Sequence, residues 1–500
     1  MPVLFRLDGQ EVTVERDGVS LLDALRDELR VHTVKDGCAP QGQCGCCTVW
    51  VDGSPRVACV TPVRRVAGRD VTTVDGLDAA VRQRFTDTFV ATGASQCGFC
   101  TPGIVMRLAA LGAGDDPERA LLAHLCRCTG WQTIEEAFAG GNAAPATRDL
   151  DAAARRATIE GRSPQHVGPE VVLGHGGFAD DTAPPDALVA VPTLDGQWVV
   201  AETLSEARAA AGKVQGRRTT IPLRHPLELP PGDWDLTLRT TWVEPGYLEP
   251  DASWCAPGGE PATPLANGGA FGGKATSIAP AVAQRLANEH GRAVRVVLAR
   301  EDVVRLGPKR PPIAAGLRAD GTGVIRVVRT PGITEAMRAV LPDVTVEEVD
   351  VAGPPTSLDV RAAGYAEASV LKAALTGDAR VGVAAARIGD DGTVYVTVDA
   401  GDPLDGIVLR SYCIGAAHMA LGWVRSEGVA VDEAGVVHDL TIRSFGILRA
   451  VDTPRIEVTV TPSDGPPVNA SDDVFAAVAT AAWMAERRPT DWPTQRRVQA

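Results

Sequence analysis

The chain has 500 residues, of which 45% are hydrophobic and 22% charged, both near the average for globular proteins. At roughly 150 residues per domain, this length predicts about three domains. The formal net charge of −14 disfavours a nucleic-acid-binding protein. No apolar run reaches the roughly 18 residues of a membrane span, and the N-terminal MPVLFRLDGQ lacks the apolar core of a signal peptide. The sequence therefore predicts a cytoplasmic protein that binds neither nucleic acid nor a membrane.

Residues 1–75 predict a small sheet with one helix. Hydrophobic and polar residues alternate in the first strands, which are separated by the turn Asp8-Gly9-Gln10. Ser20 is suited to cap a helix over Leu21–Arg30, in which leucines repeat at helical spacing. The predicted strands are Val3–Leu7, Val12–Glu15, Thr48–Val51 and Arg56–Val60. This order of elements resembles the β-grasp fold of plant-type ferredoxins.

Cysteine is the most informative residue type in the chain. There are 11 cysteines, and nine of them lie between Cys38 and Cys128. Because no export signal is present, these clusters indicate metal ligands or redox groups rather than disulfides. Cys255 and Cys413 stand apart, and we interpret them as buried apolar residues.

The first cysteine set lies in and after a glycine-rich loop, and its members are Cys38, Cys44, Cys47 and Cys59. Their spacing has one residue more in the first gap than the C-x4-C-x2-C pattern of plant-type ferredoxins, which hold a 2Fe–2S cluster. The adjacent pair Cys46-Cys47 leaves open which of the two is the ligand, although the spacing favours Cys47. Zinc, which also binds four thiolates, is the alternative metal.

The second cysteine set combines C-x2-C with C-x-C, and its members are Cys97, Cys100, Cys126 and Cys128. Pro102 and the residues after it predict a helix over Gly103–Leu111. The first pair then lies at a helix N-terminus, where the helix dipole favours thiolate. A further helix is predicted over Glu118–Leu125 and ends at the second pair. The two pairs are expected to meet across a helix bundle.

Three stretches within residues 1–140 match a known family: GQCGCCTVWVDG, QCGFCTPGIVMRLAAL and HLCRCTGWQTI. They resemble the iron–sulfur part of the molybdenum hydroxylases, the xanthine dehydrogenase and aldehyde oxidase family. The resemblance implies a β-grasp domain with a solvent-near 2Fe–2S cluster over 1–75. It also implies a four-helix domain over 76–140, whose own 2Fe–2S cluster faces a molybdopterin cofactor. Gln96 matches the family glutamine that hydrogen-bonds the pterin.

The remaining chain divides by composition and by resemblance. Residues 141–175 are rich in Ala, Arg and Gly and predict a linker with one short helix. Residues 176–500 resemble a shortened α/β molybdopterin-binding subunit, and within them Ser205 is predicted to cap a helix. The fold class is therefore α+β and multidomain. The resemblance implies that one glycine-rich loop presents backbone amides to a molybdenum oxo group, and its residues are Gly269, Ala270, Phe271 and Gly272.

The C-terminal region departs from the family at the catalytic positions. Where the family has a catalytic Glu in a Gly-x-Gly-Glu motif, the chain has Asn469-Ala470-Ser471-Asp472. Asp472, or its neighbour Asp473, is therefore the predicted general base. Arg361 stands in the position that meets substrate in purine-oxidising members. The Gln-x-x-Gly motif of the family is replaced by Ser411-Tyr412-Cys413-Ile414.

The sequence thus predicts an iron–sulfur oxidoreductase that passes electrons through two 2Fe–2S clusters and has a molybdopterin-like region with weakened catalysis. Two alternatives stay open: a fully active molybdenum hydroxylase of purines or aldehydes, and an electron-transfer and assembly subunit without catalysis of its own. No segment predicts a dinucleotide fold for FAD, so the flavin is expected on a separate redox subunit. A molybdenum-containing partner is a further expectation.

Overall fold

The computed structural model of the protein describes residues 1–112, 114–140, 148–213 and 221–495. In chain order, its strands are β1 (Val3–Leu7), β2 (Gln10–Val14), β3 (Thr48–Val51), β4 (Ser54–Val57), β5 (Asp70–Thr72), β6 (Leu188–Pro192), β7 (Trp198–Ala201), β8 (Leu236–Arg239), β9 (Ala252–Cys255), β10 (Val294–Val297), β11 (Ile313–Leu317), β12 (Gly323–Val328), β13 (Val344–Val349), β14 (Arg380–Val381), β15 (Ala384–Ile388), β16 (Val394–Val398) and β17 (Ile456–Val460). Its α-helices are α1 (Leu21–Asp23), α2 (Ala79–Thr92), α3 (Thr101–Leu108), α4 (Pro117–Ala120), α5 (Gln132–Phe138), α6 (Leu150–Gly161), α7 (Pro169–Val172), α8 (Ala179–Thr182), α9 (Leu204–Ala210), α10 (Ala279–His290), α11 (Arg300–Leu306), α12 (Ile333–Arg338), α13 (Tyr365–Thr376), α14 (Gly406–Arg425) and α15 (Ser471–Ala485).

The first five strands form one mixed sheet in the order β2-β1-β5-β3-β4. Strand β1 pairs antiparallel with β2 and parallel with β5, and it buries every second residue. Ser20 caps α1 as predicted, since its hydroxyl accepts a hydrogen bond from the Asp23 amide at 3.1 Å. The helix then continues as a π-helical turn over Ala24–Glu28. This is the β-grasp arrangement that the order of elements predicted.

Four helices, α2 to α5, follow this sheet and carry the second cysteine set. Helix α2 begins after Asp78, whose carboxylate caps it, and ends at Gly93 in the left-handed conformation. Cys100 is the N-cap residue of α3, which therefore starts slightly earlier than predicted. The helix predicted over Glu118–Leu125 is α4 followed by a short 3-10 turn over Leu121–Ala123. Both cysteine pairs thus lie at helix ends, as predicted.

Three four-stranded sheets build the C-terminal region, in the orders β7-β6-β10-β9, β13-β12-β11-β8 and β14-β15-β16-β17. Three parallel pairings have a helix in the connection and give this region its α/β character: β6 with β10, β12 with β13, and β16 with β17. Helices α14 and α15 pack against each other, and α15 also packs on α13 and β15. Their contacts form the largest hydrophobic core of the C-terminal half, which includes Trp423 stacked on Phe475 at 5.1 Å.

Helix α14 is the central helix of this core. Among the described residues it is the one helix long and apolar enough to cross a membrane, and 89% of its most apolar window is buried inside the protein. Asp405 caps its first turn by accepting a hydrogen bond from the Val408 amide at 2.8 Å. The burial of α14 is that of a core helix, and it explains its apolar composition.

Two local predictions are corrected by the structure. The strand predicted over Arg56–Val60 ends at Val57, because the last three residues form a 3-10 turn that buries Cys59. Helix α9 is capped by Thr203 rather than Ser205, since Thr203 forms a capping box with Glu206.

The predicted linker is, where described, a packed part of the protein. Ala153 and Ala157 of α6 form a hydrophobic cluster with Val408 and Tyr412 of α14. The first part of the predicted linker, residues 141–147, lies outside the described residues. The alanine-rich composition predicted a linker, but the small alanine side chains allow α6 and α14 to approach each other closely.

Candidate functional site

The first cysteine set converges under a loop that leads into β3. All four predicted ligands of this set are buried, and the Gln41 amide donates a hydrogen bond to Cys38 Sγ at 3.1 Å. Hydrogen bonds from the Cys44 and Cys59 thiols hold the pKa of Cys38 well below its ordinary value. The same contacts raise the pKa of Cys44 and Cys59. Cys47 contacts Cys59, whereas Cys46 contacts Cys44.

The second set is formed by the start of α3 and the loop after α4. Cys128 Sγ lies 3.7 Å from Cys97 Sγ, and Cys126 accepts a hydrogen bond from Cys100. That bond, with help from Thr129 at 3.1 Å, lowers the pKa of Cys126 to about 6. Each member of C-x2-C therefore faces one member of C-x-C across the bundle, as the sequence predicted.

The two cysteine sets lie directly against each other. The Leu125 amide donates a hydrogen bond to the Cys44 carbonyl at 3.0 Å, which joins the two loops beside Cys126. At Gly103 of α3 a Cβ atom would lie 2.8 Å from the Cys46 carbonyl, so only glycine allows this approach. Next to them, the buried imidazole of His124 lies 3.1 Å from Thr48 Oγ1. The chain thus brings both sets close together, with the Cys46 thiol near both Cys44 and Cys126.

The donor chemistry fits two iron–sulfur clusters. Among the described residues, no group of three or more His, Cys, Asp or Glu side chains is arranged to hold a single metal ion. The thiols of the second set contact each other in two pairs, and those of the first set form a chain of contacts. In a 2Fe–2S cluster four thiolates are shared between two irons. A small cavity beside Arg127 is lined by Cys97, Cys100 and Cys128. This arrangement suits a binuclear cluster better than the mononuclear zinc alternative.

The glycine-rich loop before α10 covers the second set. Gly269 has φ +80°, and a Cβ there would lie 2.7 Å from the Cβ of Cys97. Only glycine combines this left-handed conformation with so close an approach. Further along the loop, the Phe271 carbonyl accepts a hydrogen bond from the Arg361 amide at 3.1 Å. The loop therefore connects the cysteine set to the segment around Arg361.

A cavity of about 160 Å³ lies beyond this loop, next to Cys128. Six residues predicted from the sequence line it together, although they come from four separate segments: Gln96, Ala270, Phe271, Gly272, Arg361 and Asp472. The other predicted loop residue, Gly269, lies on the cysteine set instead. Six further lining residues carry polar groups and were not predicted as site residues: Glu160, Arg162, Ser163, Asp359, Tyr412 and Ser471. The first three come from the segment predicted as a linker, whose composition gave no signal of a site.

Asp472 and Asp473 have different environments. Burial and the adjacent carboxylate of Asp473 raise the pKa of Asp472, while Arg162 and Arg310 oppose this shift. The Asp472 carboxylate lines the cavity and forms an ion pair with Arg162. Asp473 faces away, where it accepts hydrogen bonds from the Tyr365 hydroxyl and, at 2.8 Å, from the Val383 amide. Of the two, only Asp472 is placed to act on a molecule in the cavity.

Arg361 is buried rather than free to meet solvent. Its guanidinium donates to Glu427 at 3.2 Å and to the Pro245 carbonyl at 2.7 Å. Arg361 and Ala362 both have positive φ, of 51° and 52°, in a conformation that residues with a side chain rarely adopt. Arg310 holds this turn by donating to the Arg361 carbonyl at 2.9 Å. Such strain is kept at a cavity wall when the surrounding contacts define it fully.

Gln96 lies between the cysteine loop and α14. Its amide nitrogen donates to the Cys128 carbonyl at 3.0 Å and to the Ser411 hydroxyl at 3.0 Å. A third contact, to the Ser411 carbonyl, is 3.2 Å long. The two protons of this amide are therefore already used within the protein. The neighbouring Tyr412 donates its hydroxyl to Gln165 and fills the space beside Gln96.

These residues do not fit a molybdopterin. The cavity volume of about 160 Å³ is near that of an engineered cavity that holds benzene, whereas pockets for drug-sized ligands measure roughly 300–1,000 Å³. The amide donors of Gln96 are engaged by Ser411 and Cys128, and Asp472 is paired with Arg162. The arrangement suits a small planar or polar molecule beside the second cysteine set.

A separate polar cavity of about 590 Å³ lies between α5 and the edge strand β17. Burial, with the nearby carboxylates of Glu118 and Glu136, raises the pKa of Glu135 to about 7. The folded protein therefore holds this proton more tightly than the unfolded chain, and stability falls as pH rises from about 4.5 to about 7. We expect Glu135→Gln to remove this slope and raise the melting temperature at pH 8.

Thermal unfolding of both proteins between pH 5 and pH 8 checks this expectation. The matched control is Glu457→Gln, because Glu457 lines the same cavity and pairs with Arg455 at 2.9 Å, and it is not among the carboxylates that raise the pKa of Glu135. Equal pH slopes in Glu135→Gln and the unsubstituted protein contradict the assignment.

Comparison with known proteins places both cysteine sets in defined domains. The family model described as a 2Fe-2S iron-sulfur cluster binding domain matches residues 5–64, and the 2Fe-2S binding domain matches residues 73–139. The chain is 37% identical over 138 residues to the nicotine 6-hydroxylase small subunit of Paenarthrobacter nicotinovorans. This match covers 26% of this chain and 83% of that subunit. It is 36% identical over 142 residues to the isoquinoline 1-oxidoreductase subunit alpha of Brevundimonas diminuta, covering 27% and 93%.

Longer relatives are matched over only a small share of their length. The chain is 38% identical over 157 residues to xanthine dehydrogenase of Drosophila subobscura, a match that covers 27% of this chain and 12% of that protein. Among solved structures, the aldehyde oxidoreductase of Desulfovibrio gigas superposes with a TM-score of 0.69 at 14% identity, over 99% of both chains. The aldehyde oxidoreductase of Desulfovibrio desulfuricans gives a TM-score of 0.53 at 17% identity, over 98% of this chain and 82% of that one.

These findings define an iron–sulfur protein with two 2Fe–2S-binding domains and the fold of an aldehyde oxidoreductase. The chain belongs to the molybdenum hydroxylase family, which includes xanthine dehydrogenase and aldehyde oxidoreductase.

Proposed function

We propose that this chain is an electron-transfer protein of the molybdenum hydroxylase family that passes electrons through two 2Fe–2S clusters. The first cluster is held by Cys38, Cys44, Cys47 and Cys59, and the second by Cys97, Cys100, Cys126 and Cys128. The observation that carries the proposal is the hydrogen bond of 3.0 Å from the Leu125 amide to the Cys44 carbonyl. This hydrogen bond connects Cys44, a ligand of the first cluster, to Leu125, which precedes the second-cluster ligand Cys126.

The choice of Cys47 over Cys46 rests on sulfur contacts. Cys47 hydrogen-bonds Cys59, which also hydrogen-bonds Cys38, so Cys47 is in contact with the predicted ligand that is most distant from it in sequence after the loop. Cys46 contacts Cys44 and lies on the side that faces Cys126. In the proposed arrangement Cys46 is a buried thiol between the clusters. The four ligands of the first cluster do not include it.

Electrons would enter from the cavity side and leave at the first cluster. The second set lies against the cavity, since Cys128 and the glycine-rich loop both line it. The first set reaches the surface at the turn that carries Cys59, where the next residue, Val60, has 56% of its surface exposed. A redox partner, such as an FAD-containing subunit, would dock at this turn. Relatives named as a small subunit and a subunit alpha support an assembly of this kind.

The test is removal of one ligand from the second set. We expect Cys128→Ser to abolish one 2Fe–2S EPR signal and to leave the other intact, because the two sets share no cysteine. Iron content should fall from about four to about two atoms per chain. Cys255→Ser is the matched control, since Cys255 is equally buried but hydrogen-bonds only backbone carbonyls. A Cys128→Ser protein that keeps both signals contradicts the ligand assignment.

A second function, hydroxylation at a molybdenum centre, is favoured by one observation. Six residues that the family resemblance singled out line the same cavity although they are distant in sequence. Asp472 would then be the general base, with a raised pKa that suits proton abstraction. Against this stand the small volume of the cavity and the ion pair with Arg162. We therefore place electron transfer first.

A further inference from the structure

A buried group of three charged side chains joins the second cysteine set to the wall of the cavity. Arg127, the residue between Cys126 and Cys128, donates two hydrogen bonds to Glu427, at 2.8 and 2.6 Å. Arg361 donates to the same carboxylate at 3.2 Å. The side chains of Arg127 and Glu427 are 1% and 2% exposed, so solvent does not screen this group.

The group is also held through a shared backbone acceptor. The Pro245 carbonyl accepts from Arg127 at 3.1 Å and from Arg361 at 2.7 Å. Glu427 itself follows directly on the end of α14, where its amide donates to the Gly422 carbonyl at 2.7 Å. Burying three charges is costly unless each is paired, and two arginines on one carboxylate leave one positive charge in excess.

We propose that Glu427 is a positioning residue that sets the reduction potential of the second 2Fe–2S cluster through Arg127. This inference rests on the proposed function, because it needs a cluster on the second cysteine set. Reduction adds one electron to a cluster, and a nearby positive charge stabilises the reduced state. The carboxylate of Glu427 limits this effect by neutralising one of the two guanidinium groups.

Four other charged or titratable groups adjoin the network: His418, Arg310, and the ion pair of Glu249 with Lys274 at 2.6 Å, which lines the small cavity beside Arg127. His418 is buried, and burial together with Arg127 lowers its pKa to about 4, so it is neutral at pH 7. Arg310 is paired with Glu367 at 2.7 Å, donates to the Arg361 carbonyl and interacts electrostatically with Glu427, and no substitution in the test changes its charge. The excess charge of the three side chains is therefore the quantity that substitutions change.

The experiment is a redox titration of the full-length protein followed by EPR, with the two cluster signals recorded separately. Glu427→Gln raises the excess charge from one to two and should increase the ratio of reduced to oxidised second cluster at least tenfold at a fixed potential. For a one-electron couple this corresponds to about 59 mV. The first cluster, which lacks contact with the network, should change less than threefold.

Arg127→Gln changes the charge in the opposite direction. It lowers the excess charge to zero and should decrease the ratio of reduced to oxidised second cluster. The double substitution Arg127→Gln/Glu427→Gln restores one excess charge and should return the ratio close to its original value. If Glu427→Gln does not fold, the comparison of the double variant with Arg127→Gln still isolates the charge of Glu427. Asp302→Asn is the matched control, because it breaks another buried ion pair, whose partner is Lys213 rather than a member of the network.

Three outcomes are distinguishable. An original protein with a single EPR signal contradicts the second ligand set, and the proposal for Glu427 fails with it. Two signals whose ratio is unmoved by both Glu427→Gln and Arg127→Gln contradict the proposal for Glu427 alone. A second-cluster shift of the same sign in every variant, Asp302→Asn included, indicates a structural disturbance and also overturns it.

Discussion

The purified chain, incubated with molybdopterin and molybdate, is expected to retain less than about one tenth of a molybdenum atom and to hydroxylate hypoxanthine or aromatic aldehydes at well below 1 s⁻¹. The first reason is space, because the cavity of about 160 Å³ is too small for the pterin. The second is that the amide protons of Gln96 are engaged by Cys128 and Ser411. Both features lower the fraction of the protein that binds molybdopterin, independently of the catalytic step.

The carboxylate of Asp472 limits the reaction further. It is one methylene shorter than the glutamate of the family motif, and its ion pair with Arg162 holds it against one wall of the cavity. Loss of a positioned general base typically costs about 10²–10⁴-fold in rate. A misplacement of about 1 Å can cost roughly 10²-fold by itself.

The measurement combines metal analysis with turnover assays that use an artificial electron acceptor. Asp473→Asn is the matched control for Asp472→Asn, since Asp473 bonds to Tyr365 and Val383 away from the cavity. Turnover on the order of 1 s⁻¹ or more that Asp472→Asn abolishes and Asp473→Asn preserves would show an active hydroxylase in a compact frame. Electron transfer through the clusters would then be one step of that reaction.

The iron–sulfur half of the molecule could be predicted because metal ligation restricts residue type and local spacing. C-x2-C before α3 and C-x-C after α4 each fix two ligands within one turn of chain, and Pro102 marks the helix start between them. The β-grasp sheet likewise follows from short alternating strands with a capped helix, which are local patterns. The cysteine motifs and the β-grasp sheet are found in the structure as predicted, because each depends on few long-range contacts.

Only some of the residues that line the cavity could be predicted, because the others reach it through contacts between segments that are distant in sequence. Gln96, Arg361 and Asp472 carried a motif, whereas Glu160 and Arg162 lie in an alanine-rich stretch whose composition indicated a linker. The carboxylate of Glu427 is 300 residues from Arg127 and 66 from Arg361, so no local pattern could pair them. Buried charges of this kind become visible only when their partners are in place.

Glu160 shows how much the predicted linker contributes to stability. The carboxylate at the end of α6 accepts hydrogen bonds from the Ala470 amide at 3.1 Å, the Ser471 amide at 2.9 Å and the Ser471 hydroxyl at 2.6 Å. These groups begin α15, so Glu160 satisfies backbone donors that a helix start leaves without partners. Arg156 pairs with the same carboxylate at 3.1 Å, and both side chains are fully buried.

Glu160→Ala is therefore expected to lower the free energy of unfolding by about 3–5 kcal/mol, because it leaves the Arg156 charge buried without its carboxylate. Glu160→Gln keeps the shape and an acceptor oxygen and should cost less. The control is Glu136→Gln, which breaks a half-exposed pair with Arg410 and should cost about 1 kcal/mol or less. Urea unfolding followed by tryptophan fluorescence gives all three values. An unchanged midpoint for Glu160→Ala would mean that α6 does not hold α15, and the segment before the cavity would then be a linker after all.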